Sequence, residues 1–282
     1  MAEAPPVVLT IAGFDPSSGA GVTADIKTIA AHGCYGVSCI TALTVQSTAG
    51  VRRVEPVDPG LLKSSLRELA DDVEIAAVHL GMLGSESIAK TVADFLARAR
   101  LPNVVLDPII SSSSGAALVD AGSLKVMAER LIPLATVITP NVDEAAAFCG
   151  QEVSDVEEMR AAAAKLHAMG ARAVVVTGGH LERPTDLLSF TSSKGIEQQT
   201  YKSRKQVSSS THGTGCAFST AIACHLAHGR ALPEAVLLAK SYVSAAIAHA
   251  YPIGHGAGPL HHLYRFHQKR PVARRHEAES GR

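Results

Sequence analysis

The segment THGTGCAFSTAIACHLAHG, from Thr211 to Gly229, sets two glycines and a cysteine directly ahead of an apolar run that reads as a helix. The N–H groups of Gly213, Thr214, Gly215 and Cys216 then converge at a helix N-terminus, where the helix dipole favours an anion. Glycine lets backbone approach a phosphate closely. The same field lowers a thiol's pKa from about 8.5, so Cys216 stands where a base could form. An anion hole beside a base suits phosphoryl transfer, in which the protein mainly positions groups and offsets charge. A glycine-rich helix start with no chemistry would use the same residues. Cys224, further along the helix, reads as core, as do Cys34 and Cys39.

Carboxylates form a second group. Asp107 closes an apolar run ahead of Pro108, as a turn-forming pair or as a ligand. Asn141 and Glu144 are three residues apart, which is the spacing of a helix cap and its first-turn acid. The functional alternative is that Asp107 and Glu144 hold Mg²⁺, mostly through water, beside nucleotide phosphates. Ser111–Gly115 is a flexible, lid-like stretch next to them. Gly19-Ala20-Gly21 followed by Ala24 nearly fits G-x-G-x-x-A, but the next strand ends ALTVQS without the acid that a dinucleotide site needs. No G-x-x-x-x-G-K-[ST] occurs, and the spacing around His261 and His262 matches no zinc site.

These residues need a scaffold that brings them to one rim. PVVLTIAG, YGVSCITALTVQ, IAAVHLGML, NVVLDP, TVITPN and ARAVVVTGG read as strands. Helices fall between them, among them one ended by Gly33, one capped by Asp58, and segments over Ser85–Arg100 and Ser123–Leu131. LLSFTS and EQQTYKS read as a hairpin, and two long helices follow, Gly215–His228 and Leu232–Ala250. Such alternation predicts an α/β fold with a mostly parallel sheet covered on both faces. Ligands then bind beyond the C-terminal strand ends, where Gly13–Asp15, Gln46, Gly81–Met82, Asp107–Pro108, Pro140–Asn141 and Gly178–Gly179 all fall.

Composition narrows the function class. The chain has 282 residues, 46% hydrophobic, and its 26 basic side chains balance 26 acidic ones, so no bulk charge calls for nucleic acid or an anionic membrane. With no Trp and 4% aromatics, stacking platforms for single strands are not expected. Five scattered cysteines form no disulfide framework and fit a reducing cytosol. The N-terminus lacks the pattern of a signal peptide, and no apolar run reaches the ~18 residues of a membrane span. The polar segment from residue 268 to 282 is expected to be disordered, leaving 1–267 as a single domain.

LTIAGFDPSSGAGVTADIKT, YGVSCITALTVQST, GML, LDP, ITPNVDEA, GGH, HGTGCAFSTAIA, AKSYVSAAI and GHGAGPLHH follow one another in an order that resembles the hydroxymethylpyrimidine/phosphomethylpyrimidine kinases of thiamin synthesis, from about Val8 to His262. The resemblance implies a three-layer ribokinase-like fold, ATP and Mg²⁺, and a cytoplasmic homodimer. It implies that Gly13, Ala20, Asp25, Gln46 and Met82 meet the pyrimidine, with Gln46 bonding ring nitrogen and amino group. Cys216 would be the base and Gly213–Gly215 the phosphate cradle. Asp107, Asn141 and Glu144 would organise Mg·ATP, with Thr177 and Lys240 near the nucleotide. Thr177, and the serines of IISSSSG, stand where the family often carries lysine. A vitamin B6 kinase of the same fold, or a catalytically silent pyrimidine-binding regulator, would carry many of the same residues.

Overall fold

The computed structural model describes residues 3–112, 115–179, 181, 184–203, 208, 210 and 212–267. The segment expected to be disordered, 268–282, lies outside them, as do Ser113, Ser114, His180 and Thr211. In chain order the first half comprises β1 (Val7–Phe14), α1 (Gly21–Ala31), β2 (Tyr35–Ser47), β3 (Gly50–Pro56), α2 (Pro59–Asp72), β4 (Ile75–Leu80), α3 (Glu86–Ala99) and β5 (Val104–Leu106). The second half comprises α4 (Ala121–Val126), β6 (Val137–Ile138), α5 (Val142–Cys149), α6 (Val156–Ala168), β7 (Ala173–Val176), β8 (Thr185–Ser192), β9 (Gly195–Lys202), α7 (Thr214–Ala227), α8 (Leu232–Ala248) and the short α9 (Tyr264–His267).

Among the described residues all nine strands join one sheet, in the order β3-β2-β1-β4-β5-β6-β7-β8-β9. The run from β2 to β7 is parallel, and β3, β8 and β9 add antiparallel edges. Alternate residues of each strand feed two cores, as the two-residue period of a pleated strand requires. Val8, Ala77, Val105, Val137 and Val175 pack with α1, α7 and α8. Leu9, Val78, Leu106, Ile138 and Val176 pack with α2, α3 and α6 on the other face. Burial on both faces explains why these strands read as continuous apolar runs.

Local chemistry sets the element ends. Asp58 caps α2, its carboxylate accepting from Leu61 N at 2.8 Å, with Pro59 in the first turn. TVITPN yields only the two residues of β6, because Pro140 has no N–H for a ladder and Asn141 turns to cap α5. The helix expected over Ser123–Leu131 starts at Ala121, capped by Asp120, and widens into a π turn over Met127–Leu131 just ahead of Pro133. β3 carries no alternating pattern and escapes the sequence reading, since it is a half-exposed edge strand with charged residues Arg52, Arg53 and Glu55.

Leu66 of α2 is fully buried in the core under the sheet. Leu66→Ala should lower unfolding free energy by about 2–5 kcal/mol in urea titrations. It should leave KM for nucleotide and second substrate unchanged, because that core lies behind the rim.

Candidate active site

Two glycine-rich loops meet at the C-terminal rim, and the contact is backbone to backbone. Gly213 caps α7 at φ +79°, and a Cβ there would lie 1.9 Å from the carbonyl oxygen of Gly19. Gly21 opens α1 at φ +60°, where a Cβ would lie 2.2 Å from the carbonyl oxygen of Gly13. The N-cap of α7 is Gly213, which brings no side chain of its own, and a helix N-terminus favours an anion. Behind its first turn α7 is enclosed, with every residue from Cys216 to Cys224 buried against α1, α8 and the sheet.

His212, missed in the sequence, ties the loops together. Its Nε2 donates to Asp15 Oδ2 at 2.9 Å and lies 3.2 Å from the Gln46 amide. Its ring packs on Gly19, where an added Cβ would lie 2.2 Å from Cδ2. Asp15 also accepts from Ser17 N and Oγ and from the N–H groups of Gly19 and Ala20. Burial alone would raise the pKa of Asp15, but the bonds from His212, Ser17 and Ala20 leave it below the ordinary carboxylate value. Gln46 sits at an irregularity in the β2–β3 ladder between Val45 and Gln46, a device that re-aims a side chain.

Gly13, Ala20, Gln46 and Met82 all lie on this rim, with Met82 beside Gly13 and Gln46 beside His212. The Met82 methyl would meet a Cβ at Gly13 at 2.2 Å, and Met82 joins Ala42, Leu118, Val51, Val54 and Ile109 in a small apolar cluster. Next to it a cavity of about 150 Å³ is lined by Gln46, Thr48, Ser112 and His212, with Gly256 and Ala257 across it. Ser112 belongs to a tight turn closed by bonds from Ser112 N to Ala116 O and from Gly115 N to Ser112 O. A larger cavity, about 420 Å³, lies between α2 and α3 and contains none of these residues.

Asp25 departs from expectation. It does not face the pocket but is fully buried, accepting from Thr10 Oγ1 at 2.7 Å and Thr220 Oγ1 at 2.9 Å. His79 Nδ1 stands 3.3 Å from it, His79 Nε2 is 2.9 Å from Ser219 Oγ, and Ser219 donates to Asp107 at 3.1 Å. Burial opposes charge on His79, but Asp25, and beyond it Asp107, raise its pKa above the ordinary value. The thiolate expected at Cys216 is also corrected. Burial, then the charges of Asp107 and Asp25, push this thiol well above its ordinary pKa, against a lowering bond from the Gly21 N–H. A helix dipole acts within one turn and is outweighed there by nearby full charges in a dry site.

Asn141 caps α5 in a reciprocal capping box: Glu144 N donates to Asn141 Oδ1 and Asn141 N to Glu144 Oε2, both at 2.9 Å. The capping role therefore holds, and the carboxylate keeps a further charge to place. Burial and then Asp107 raise Glu144 to about 8. Burial raises Asp107 to about 6, while His79, Ser219 and Thr139 pull it down and Asp25 pushes it up. Two buried carboxylates held partly protonated suit a hard divalent cation taken largely through water. Among the described residues no cluster of three or more His, Cys, Asp or Glu forms a metal cage. Thr177 pairs with Asn141 as β7 leaves the sheet, its N–H donating to Pro140 O at 2.9 Å. Lys240 is not a free cation: it pairs with Asp186, which also accepts from Gly178 N at 3.1 Å, so it braces the turn after β7.

A mostly parallel sheet, flanked by helices, whose rim carries a glycine-capped helix N-terminus and buried carboxylates, defines a small-molecule kinase of the ribokinase-like fold. The family model for phosphomethylpyrimidine kinase matches residues 15–261, and the chain belongs to that family. The hydroxymethylpyrimidine/phosphomethylpyrimidine kinase of Streptomyces coelicolor is 41% identical over 92% of this chain and 94% of that one. The thiamine biosynthesis bifunctional protein ThiED of Geobacter sulfurreducens is 43% identical over 91% of this chain, which spans about half of that longer protein, 52%. Among solved structures, an ADP complex of Bacillus subtilis pyridoxal kinase superposes with a TM-score of 0.84 at 33% identity, over 93% of this chain and 100% of that one. No helix among the described residues is long and apolar enough to cross a membrane.

Two outcomes test this geometry. Gly213→Ala combines a left-handed φ with a clash against Gly19, so it should cost more than about 1 kcal/mol of stability and depress turnover together. Glu144 is raised in the folded state, so its stability term is complete below its unfolded pKa near 4.5 and lost as pH rises through about 8. Glu144→Gln should therefore stabilise the ligand-free protein at pH 8 by at least about 1 kcal/mol, and by nothing near pH 4, in thermal melts across that range.

Proposed function

We propose that the chain transfers the γ-phosphoryl group of ATP to the hydroxymethyl group of 4-amino-5-hydroxymethyl-2-methylpyrimidine, and then phosphorylates the resulting monophosphate. One observation carries the reading: Gln46, able to bond an aminopyrimidine edge, is linked through His212 to the N-terminus of α7, which can hold a phosphoryl group. The names of the sequence relatives support the same substrates. In this reading Gly13, Ala20 and Met82 hold the ring, and Gly213, Thr214 and Gly215 cradle the transferring group. Asn141, Thr177 and Lys240 shape the nucleotide side, Lys240 through Asp186. Asp25 acts from beneath, fixing α7 through Thr220.

In the transfer, the substrate oxygen attacks the γ-phosphorus, the bond from that phosphorus to the ADP oxygen breaks, and the alcohol proton passes to Cys216. Cys216 can take that proton only as a thiolate, which forms by loss of its own proton to solvent where the negative field of Asp107 and Glu144 is offset. Mg²⁺ at Asp107 and Glu144 would supply that positive charge beside the phosphates. The family likeness adds a homodimer in the cytoplasm to the proposal, and sedimentation checks the dimer.

The pyridoxal kinase with the same fold supplies the second reading. The test is to incubate the protein with Mg·ATP and, separately, the hydroxymethylpyrimidine, its monophosphate and pyridoxal, and to weigh the products. The first two should gain phosphate with the higher kcat/KM; a preference for pyridoxal would reverse the assignment. Cys216→Ala should retain nucleotide binding and lower turnover by ~10²–10⁴-fold, the range for losing a general base. Unchanged turnover, with chemistry rate-limiting, would leave Cys216 as packing.

A further inference from the structure

Gln46 can present its amide to a ligand in two senses, because a 180° turn exchanges Oε1 and Nε2. Its two neighbours decide between them. On one side lies His212 Nε2, 3.2 Å away. A carboxylate only accepts, so the 2.9 Å contact to Asp15 Oδ2 requires a hydrogen on His212 Nε2, in the neutral or the protonated ring alike. A protonated Nε2 has no lone pair, so its hydrogen, shared between Asp15 and the amide, can meet only an acceptor there, and an amide NH₂ on this side would face it donor to donor. On the other side lies Thr44 Oγ1, 3.2 Å from the amide position occupied by Oε1, while His212 faces the position occupied by Nε2, and a 180° turn exchanges the two. The single hydrogen of Thr44 Oγ1 is given to Phe14 O at 2.9 Å, so only lone pairs are left for Gln46. Both neighbours thus call for the same sense, with Oε1 toward His212 and NH₂ toward Thr44. The donors bound to Asp15 hold its carboxylate ionised, which keeps the imidazole in its donating role.

The sense of the amide has a chemical reading. Along the rim the order is Thr44, Gln46, His212, Gly213, so the acceptor end of the amide is nearer the phosphoryl cradle and the donor end is farther from it. In the aminopyrimidine, C4 and its amino group lie between the C5 hydroxymethyl group and N3. With the hydroxymethyl group aimed at the cradle, the amino group falls near Oε1 and N3 near the NH₂. We propose that His212, held by Asp15 and seconded by Thr44, is a specificity-determining residue that fixes the polarity of Gln46, so that the site accepts a 4-amino pyrimidine edge and rejects its 4-oxo counterpart. The 4-oxo ring offers the inverse pattern, an acceptor at O4 and a donor at N3–H.

This inference rests on the reading that Gln46 meets the pyrimidine, and the experiment separates the two. The probes are 5-hydroxymethyl-2-methylpyrimidine in its 4-amino and 4-oxo forms, with Mg·ATP, and the readout is the ratio of their kcat/KM values. The wild-type protein should favour the amino form by at least about tenfold, the size of one mismatched hydrogen-bond pair. His212→Phe keeps a ring on Gly19 and removes the donor; Thr44→Val removes the opposing acceptor at nearly constant shape. Each should narrow the ratio, His212→Phe toward parity, mostly through a fall in the amino form and a gain in the oxo form. Where His212→Phe does not fold, Thr44→Val carries the test. A ratio unchanged in both variants, with both substrates slowed alike, would reduce His212 to a structural strut and overturn the proposal. Gln46→Leu tests the underlying reading: unchanged calorimetric affinity for the amino form would remove Gln46 from the pocket, whatever the His212 variants do.

Discussion

Two carboxylates buried beneath the start of α7 constrain most of this structure. Asp25 and Asp107 are both shut off from solvent, and a buried charge without partners costs several kcal/mol. The partners come from every element around them: Thr10 from β1, His79 from β4, Ser219 and Thr220 from α7. Each must stand within hydrogen-bond distance, so the network fixes the height of α1 and α7 against the central strands. Small hydroxyl residues on α7 are explained by this need and by the close packing of the helix. Burial, joined by this crowding of negative charge, holds the Cys216 thiol protonated in the ligand-free protein. Reactivity is therefore governed by the local balance of charge rather than by the helix dipole alone.

The second constraint is steric. Two loops from opposite ends of the sequence touch through backbone atoms at Gly19 and Gly213, and only the absence of a side chain permits that approach. The contact brings the end of β2 at Gln46 and the start of α7 side by side. Hydrogen bonds through His212 then make the two ends agree in orientation.

The layered fold, the rim of strand ends and the glycine-rich turn that opens α7 were legible in the sequence, because each rests on local pattern: apolar runs, glycine at turns, and a capping residue such as Asp58. The hairpin of β8 and β9 was legible for the same reason. Hidden features depend on contacts between distant positions. His79 is embedded in an apolar run and reads as one more core residue; its partners are 54 residues back at Asp25 and 140 ahead at Ser219. His212 gains its meaning only from Asp15, 197 residues away. The family resemblance set Lys240 near the nucleotide and Asp25 against the pyrimidine, and neither the pairing of Lys240 with Asp186 nor the burial of Asp25 beneath Thr220 has a local sequence signal. Edge strand β3 lacks a buried face and so lacks the pattern that marks strands.

The enclosure of α7 has a consequence for how the molecule loosens. A helix enclosed behind its first turn cannot shift without unpacking α1, α8 and the sheet at once, so the amides beyond that turn should exchange with solvent only in global unfolding. The opposite wall, built from half-exposed β2, the edge strand β3 and the turn at Ser112, has far less burial to lose. Breathing motions should therefore begin at β2 and β3 and leave α7 in register. An enzyme arranged in this way can admit and release its small substrate through a soft margin, while the groups that must meet the reacting phosphorus stay at rest.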